Sequence, residues 1–237
     1  MGRDLKVLRA HLRDLADPDL AAHALRFFKT APGEYGAGDR FLGIRVPVLR
    51  KLARAHRDLT ARDVGLLLQS HFHEERLLAL FMLVDRFRRA DARRRTAVYR
   101  LFVANLDYVN NWDLVDSSAS QIVGAYLEDR SRKLLYRLAR SRDLWRRRIA
   151  IMATLYFIRL GQFEDTLALA ARLIGDREDL IHKAVGWMLR EVGKRDRPTA
   201  ERFLVAHHRG MPRTMLRYAI ERYPEARRRA YLAGKVV

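Results

Sequence analysis

Apolar residues recur along most of this chain at spacings of three and four, the period of a helix with one buried face. No stretch alternates apolar and polar positions in the way a half-buried strand does. The pattern predicts helices near 19–29, 47–57, 61–70, 73–89, 92–105, 112–127, 131–140, 144–160, 163–174, 177–193, 197–207 and 213–222. Short breaks separate them: Asp17-Pro18, Gly161, Gly175-Asp176, Pro198, Gly210 with Pro212, and Pro224. Pro47 and Pro212 suit a first helical turn, where a missing N–H costs nothing.

The longer helices begin near 47, 73, 112, 145, 178 and 213, a spacing of about 26–39 residues. That is close to the period of stacked helix pairs. The expected fold class is therefore all-α, a HEAT-like helical-repeat solenoid (α-α superhelix) that forms a single domain over residues 1–237. One helix of each pair would line a concave groove, and a basic groove of that kind suits a duplex.

Helical phase separates core from surface. In Asp179–Lys194, Ile181, Ala184, Val185, Met188 and Val192 share one face, while Lys183, Trp187, Arg190 and Lys194 form a stripe opposite. A Trp among cations either packs on a neighbouring helix or serves as a wall for a sugar or base. In the helix from 112, Val115, Ala119, Ile122, Val123 and Tyr126 form the apolar face, with Trp112 and Asp116 together at its edge. Asp113, rotated away, suits the positive end of the helix dipole. Asp116 lies deeper and gains less from the dipole; a salt bridge to an Arg is its plain structural alternative. Arg146, Arg147 and Arg148 open a third helix at the end where positive charge is disfavoured. They point to phosphate, to a carboxylate such as Asp116, or to a solvated run. Arg50, Arg54 and Arg57 make another stripe, and Arg213 with Arg217 a similar pair.

Composition gives these stripes a direction. The formal charge is +19, from 47 Lys and Arg against 28 Asp and Glu, and only seven of the cations are Lys. Such an excess points to a polyanion, because each phosphate contact releases counterions; an Arg-rich genome is the alternative. There is no Cys, which removes disulfides, thiolate metal sites and a Cys nucleophile. The longest apolar run, Ile149–Ile158, is far short of the ~20 residues that span a bilayer. The opening residues carry no signal-peptide core. A soluble, cytoplasmic, nucleoid-associated protein is expected, with no membrane partner.

Other site chemistries find little support. The four glycines of Pro32–Pro47 have neither Walker nor Rossmann spacing and follow no strand. His71 and His73 in HFHEER, and His207-His208, lack companion ligands, so no metal is expected and these histidines read as solvated or capping.

Four segments resemble the AlkD-like family of DNA alkylation-repair glycosylases: FLGIRVPVLRKLAR (Phe41–Arg54), NNWDLVD (Asn110–Asp116), WRRRIAI (Trp145–Ile151) and HKAVGWMLREVGK (His182–Lys194). The resemblance implies a HEAT-like solenoid that holds double-stranded DNA in a basic groove and excises N3-methyladenine and N7-methylguanine; no cofactor is expected, and a solenoid that encloses DNA can work as a monomer. It implies that Asp116 is the catalytic carboxylate, Trp112 and Trp187 the aromatic walls at the lesion, and Arg148 the partner that anchors the backbone beside it. Arg45, Arg50, Arg54, Arg146, Arg147, Lys183, Arg190, Lys194, Arg213 and Arg217 are the expected DNA-binding set. The chain departs from the family pattern at Ala31–Arg40, which reads as an insertion. It also departs at Phe27 and Arg45, where a Tyr and a polar amide are expected. A non-catalytic binder of damaged or branched DNA on the same fold is the alternative, and a helical scaffold for an acidic protein is a third.

Overall fold

Heptad-like spacing becomes helix almost wherever it occurs. The computed structural model describes residues 2–236, and among these the only extended pairing is an isolated bridge between Arg40 and Phe72. The fold is all-α. The chain divides into two units, Met1–Ser118 and Ala119–Val237. The first holds α1 (Arg3–Asp14), α2 (Pro18–Phe27), α3 (Val46–Ala55), α4 (Ala61–Leu68), α5 (His73–Arg89), α6 (Ala92–Ala104) and α7 (Trp112–Asp116). The second holds α8 (Lys133–Leu138), α9 (Leu144–Ala153), α10 (Leu155–Arg159), α11 (Glu164–Leu173), α12 (Asp179–Gly193), α13 (Arg197–His207), α14 (Arg213–Ala219) and α15 (Glu225–Leu232). Helices that head the expected repeats start at 46, 73, 112, 144, 179 and 213.

Local chemistry sets many of these starts. Asp17, Thr60, Asp91, Asn111, Asp143 and Asp196 each accept a backbone N–H at a helix N-terminus with their side chains, which satisfies donors that the helix itself leaves unpaired. Pro47 lies in the first turn of α3 as expected, whereas Pro212 sits one position outside α14, at its N-cap.

Four expectations need correction. Helix α1 was not predicted, although Leu5, Leu8 and Leu12 make a narrow buried stripe along it. Helix α15 was not predicted either; Tyr231 is its one buried residue, too little for a periodic signal. The single helix expected over 112–127 is instead the five-residue α7, a turn at Ser117–Ser118 and a π-helical segment, Ser120–Gly124. The Ser118 hydroxyl donates to the Leu114 carbonyl at 2.6 Å, and Ser117 Oγ to the same oxygen at 3.3 Å. Serine hydroxyls that take a carbonyl in this way compete with the regular ladder. The helix expected over 144–160 is likewise split at buried Thr154, whose Oγ1 donates to the Ile151 carbonyl at 2.7 Å.

In the first unit, α5 is the hub, packed against α3, α4 and α6. Arg9 of α1 reaches it through Glu75, Nε to Oε2 at 2.9 Å. Glu74 is buried beside it and holds the loop before α3. Its carboxylate accepts the amides of Leu42 (2.9 Å), Gly43 (2.8 Å) and Ile44 (3.3 Å). Gly43 has φ +80°, and a Cβ there would stand 2.1 Å from the Asp17 carbonyl oxygen, so no other residue fits. In the second unit α12 is the hub, packed on α9, α11, α13 and α14. Gly186 lets α12 and α14 meet: a Cβ there would lie 2.4 Å from the Met215 oxygen.

The Glu74 contacts predict that Glu74→Gln lowers unfolding stability by about 1–3 kcal/mol, since one of its two acceptors becomes a donor facing buried amides. A urea-unfolding midpoint unchanged from wild type would contradict this role.

Candidate functional site

Helix α7 carries Trp112 and Asp116 as its first and last residues, one turn apart and both half-buried. Asn111, fully buried, fixes the start by accepting the Trp112 amide on Oδ1 at 2.8 Å. The indole is not isolated. It stacks on Phe28 (centroids 5.4 Å, planes 21° apart) and meets the edge of Phe27 (6.0 Å, 69°). Phe28 in turn packs on Phe41 at 5.0 Å and on His73 at 4.9 Å. The aromatic group thus runs from Phe27, 56 % exposed, to His73, which is buried.

His73 is the residue that sequence reasoning misjudged. It is neither solvated nor a cap: its side chain is 2 % exposed and both ring nitrogens face carboxylates. Nδ1 lies 3.0 Å from Asp39 Oδ2, and Nε2 lies 2.8 Å from Asp113 Oδ2. An ionised carboxylate can only accept, so both nitrogens must donate and the ring is an imidazolium. Burial disfavours that charge, but hydrogen bonds and attraction from Asp113 and Asp39 outweigh it and raise the pKa to about 9. Asp39 also pairs with buried Arg76, whose Nη1 donates to the Ser70 carbonyl at 2.9 Å. Burial pushes the Asp39 carboxyl up, yet His73 and Arg76 together hold it below the ordinary range. Two anions and two cations therefore balance around the ring, with the half-buried Asp113 at the edge of the group. Asp113 does occupy the first turn of α7, as expected, but its carboxylate also serves this network. Phe28, Phe41, His73 and Asp113 wall a cleft of about 130 Å³ together with Arg45.

The basic stripes differ in how far they are already neutralised. Arg45, Arg50 and Arg54 are exposed on and beside α3, and among the described residues none of the three pairs with a carboxylate. The Arg50 guanidinium instead lies over the Phe81 ring, 4.6 Å from its centroid. Arg217 is exposed on α14, and Arg213 donates to the Leu232 carbonyl at 2.5 Å.

On α12 the predicted faces are correct: Ile181, Ala184, Val185, Met188 and Val192 are buried, and Trp187 is half-buried on the other side. The stripe there is internally compensated. Lys183 pairs with Asp179 at 2.8 Å, Lys194 with Glu191 at 2.6 Å, and Arg190 with Glu221. The Trp187 indole N–H donates to Glu191 Oε1 at 3.3 Å.

On α9, Arg147 is clamped by Asp176, Nε to Oδ2 at 2.6 Å and Nη2 to Oδ1 at 3.1 Å, while Nη1 donates to the Ser141 and Arg142 carbonyls. Four of its five donors are thus used within the protein, and its first role is to tie α9 to the segment before α12. Arg148 is 4 % exposed and donates to the Leu180 carbonyl at 2.5 Å. Arg146 is half-buried and follows the Asp143 cap, which accepts its amide at 2.9 Å. Among the described residues no three His, Cys, Asp or Glu side chains gather in a way that could hold a metal ion. Among the described residues no helix is long and apolar enough to cross a membrane.

The residues that sequence reasoning missed are Asp39, His73 and Arg76, with Phe28 and Phe41 around them. Their one local signal was a lone Asp within a glycine-rich loop; the contacts that define them span 34 to 40 residues of chain.

Comparison with known proteins agrees with this architecture. No curated protein matches the sequence. Among solved structures, a predicted DNA alkylation repair enzyme from Enterococcus faecalis superposes with a TM-score of 0.67 at 16 % identity, covering 89 % of this chain and 97 % of that one. At that identity the likeness concerns the fold. The sequence model described as DNA alkylation repair enzyme matches residues 8–223. The chain belongs to the DNA alkylation repair enzyme family.

Proposed function

We propose that the protein is a monofunctional DNA glycosylase, with the whole chain serving as one domain that hydrolyses the N-glycosidic bond of cationic alkylated purines in double-stranded DNA. N3-methyladenine and N7-methylguanine are the substrates of choice. The observation that carries this is the half-buried Trp112–Asp116 pair on one short helix whose start is fixed by Asn111 and Asp113.

The chemistry asks little of an acid. A purine alkylated at N3 or N7 carries positive charge and leaves as a neutral base. As the bond lengthens, the charge moves onto the deoxyribose as an oxocarbenium ion. Asp116 stabilises that charge in a partly desolvated setting and orients the attacking water. Trp112 and Trp187 attract the cationic sugar by about 0.5–2 kcal/mol each and exclude bulk solvent. Arg148 supports the backbone beside the lesion.

Duplex DNA is held by guanidinium contacts to phosphate. Arg45, Arg50, Arg54 and Arg217 are the strongest candidates, because they are exposed and carry no internal counter-charge among the described residues. The cations of α12 and Arg213 contribute only as far as phosphate displaces or shares their present partners.

Three outcomes test this. Asp116→Asn should bind duplex at least as well as wild type yet release N7-methylguanine about 100- to 1000-fold more slowly in single-turnover assays. Near-wild-type release would sink the catalytic assignment and leave a non-catalytic binder of damaged DNA. Trp187→Ala should slow release more than it weakens binding; equal losses would make that indole structural. Arg54→Ala should reduce the slope of log affinity against log salt by about 1, whereas Lys194→Ala should change it less, because Glu191 already screens that ammonium.

A further inference from the structure

His73 is where two separate contacts to α7 originate. Through Nε2 it holds Asp113, the residue after Trp112, and across its ring it packs on Phe28, which stacks on the Trp112 indole. The ring also stacks on Phe41 at 4.7 Å, and its other nitrogen is fixed by Asp39. Both ring nitrogens are thus engaged by carboxylates, and the imidazole cannot rotate without breaking a charged hydrogen bond.

We propose that His73 is a positioning residue for the reaction: its doubly protonated ring orients α7 through Asp113 and sets the tilt of Trp112 through Phe28, so that the indole and Asp116 meet the lesion in fixed register. This rests on the glycosylase reading of Trp112 and Asp116.

A charged histidine is a costly way to fill an interior, since an apolar side chain of equal volume often packs as well. What only the imidazolium supplies is two directed donors on the edge of a ring whose face packs on aromatics, joining a loop, α5 and α7 at one point. Truncation to one donor would leave a carboxylate uncompensated and free to turn. The groups facing His73 are Asp113 on α7, Asp39 on the loop with its partner Arg76 on α5, and the rings of Phe28 and Phe41. The neighbouring Glu74 is turned to the amides of Leu42, Gly43 and Ile44.

The proton makes the device sensitive to pH in a defined direction. The folded pKa is about 9, above the ordinary 6.5, so the clamp is complete below 6.5 and is lost as pH rises through about 9. Guanidinium contacts to phosphate persist over that range. Base release should therefore fall near pH 9 while duplex binding does not.

The experiment compares wild type, His73→Gln, Asp113→Asn and the double variant on duplex containing N7-methylguanine. Single-turnover release and duplex affinity are measured together with fluorine NMR of fluorotryptophan-labelled full-length protein. His73→Gln should slow release about 100-fold with affinity unchanged, a loss of the size that small misplacement causes. The double variant should be no slower than the worse single, because the two residues act as a unit. The Trp112 resonance, assigned with Trp112→Phe, should shift in His73→Gln and should titrate in wild type near pH 9, with Trp145 and Trp187 unmoved.

Wild-type release by His73→Gln, equal losses of rate and affinity, or a Trp112 resonance blind to both the variant and the pH would overturn the proposal. If His73→Gln fails to fold, the wild-type titration decides alone. If wild-type protein releases no base, the glycosylase reading fails, and the Trp112 resonance still decides whether His73 orients the indole.

Discussion

A balanced set of charges, three of them with buried side chains and one half-buried, ties the first unit together. Asp39, His73, Asp113 and Arg76 come from a loop and two helices, and each would be expensive to bury by itself. Together they sum to zero, and each anion meets at least one donor. Removing any member leaves a charge without its counterpart, which costs far more than the net worth of the pair. The loop, α5 and the start of α7 are thereby made to adopt one arrangement or none. Glu74, on the same turn of α5, extends the constraint to Leu42–Ile44, so two adjacent residues of one helix govern the path of the chain from Asp39 to the opening of α3.

The fold was largely legible because helix burial repeats with a period the sequence displays. Ile181, Ala184, Val185, Met188 and Val192 are buried as their phase requires, and the starts of the repeat-heading helices are met to within a residue. Legibility failed where period and structure part company. Helix α15 has too few apolar residues to show a phase, and Ser117, Ser118 and Thr154 interrupt helices through hydroxyl bonds that no periodicity encodes. The Trp112–Asp116 pair was visible because it is local, four residues apart. The His73 network was invisible because its pairs lie 34 and 40 residues apart, and a histidine in HFHEER carries no mark of burial.

Charge in this chain is not one quantity. The +19 total conceals helices of opposite character. On α12 each cation of the stripe has an acid beside it, so the field there is that of dipoles and decays quickly. On α3 the guanidiniums face solvent without an acid among the described residues, and a field from unpaired charge reaches to the screening length of the solution, about 8–10 Å. The formal total therefore does not by itself say how much of each helix's charge reaches solvent.

The π segment Ser120–Gly124 gives the second unit an unusual vulnerability. A π turn holds more residues than an α turn of the same span. That surplus brings the bare backbone of Gly124 against the Ala153 carbonyl, where a Cβ would stand 2.3 Å away. Changing any of the other side chains of the segment leaves this contact in place. Losing one residue from it would restore ordinary winding, change the register of the segment, and present a side chain where only a hydrogen atom fits. Chain length at this point is therefore held as tightly as the identity of residue 124.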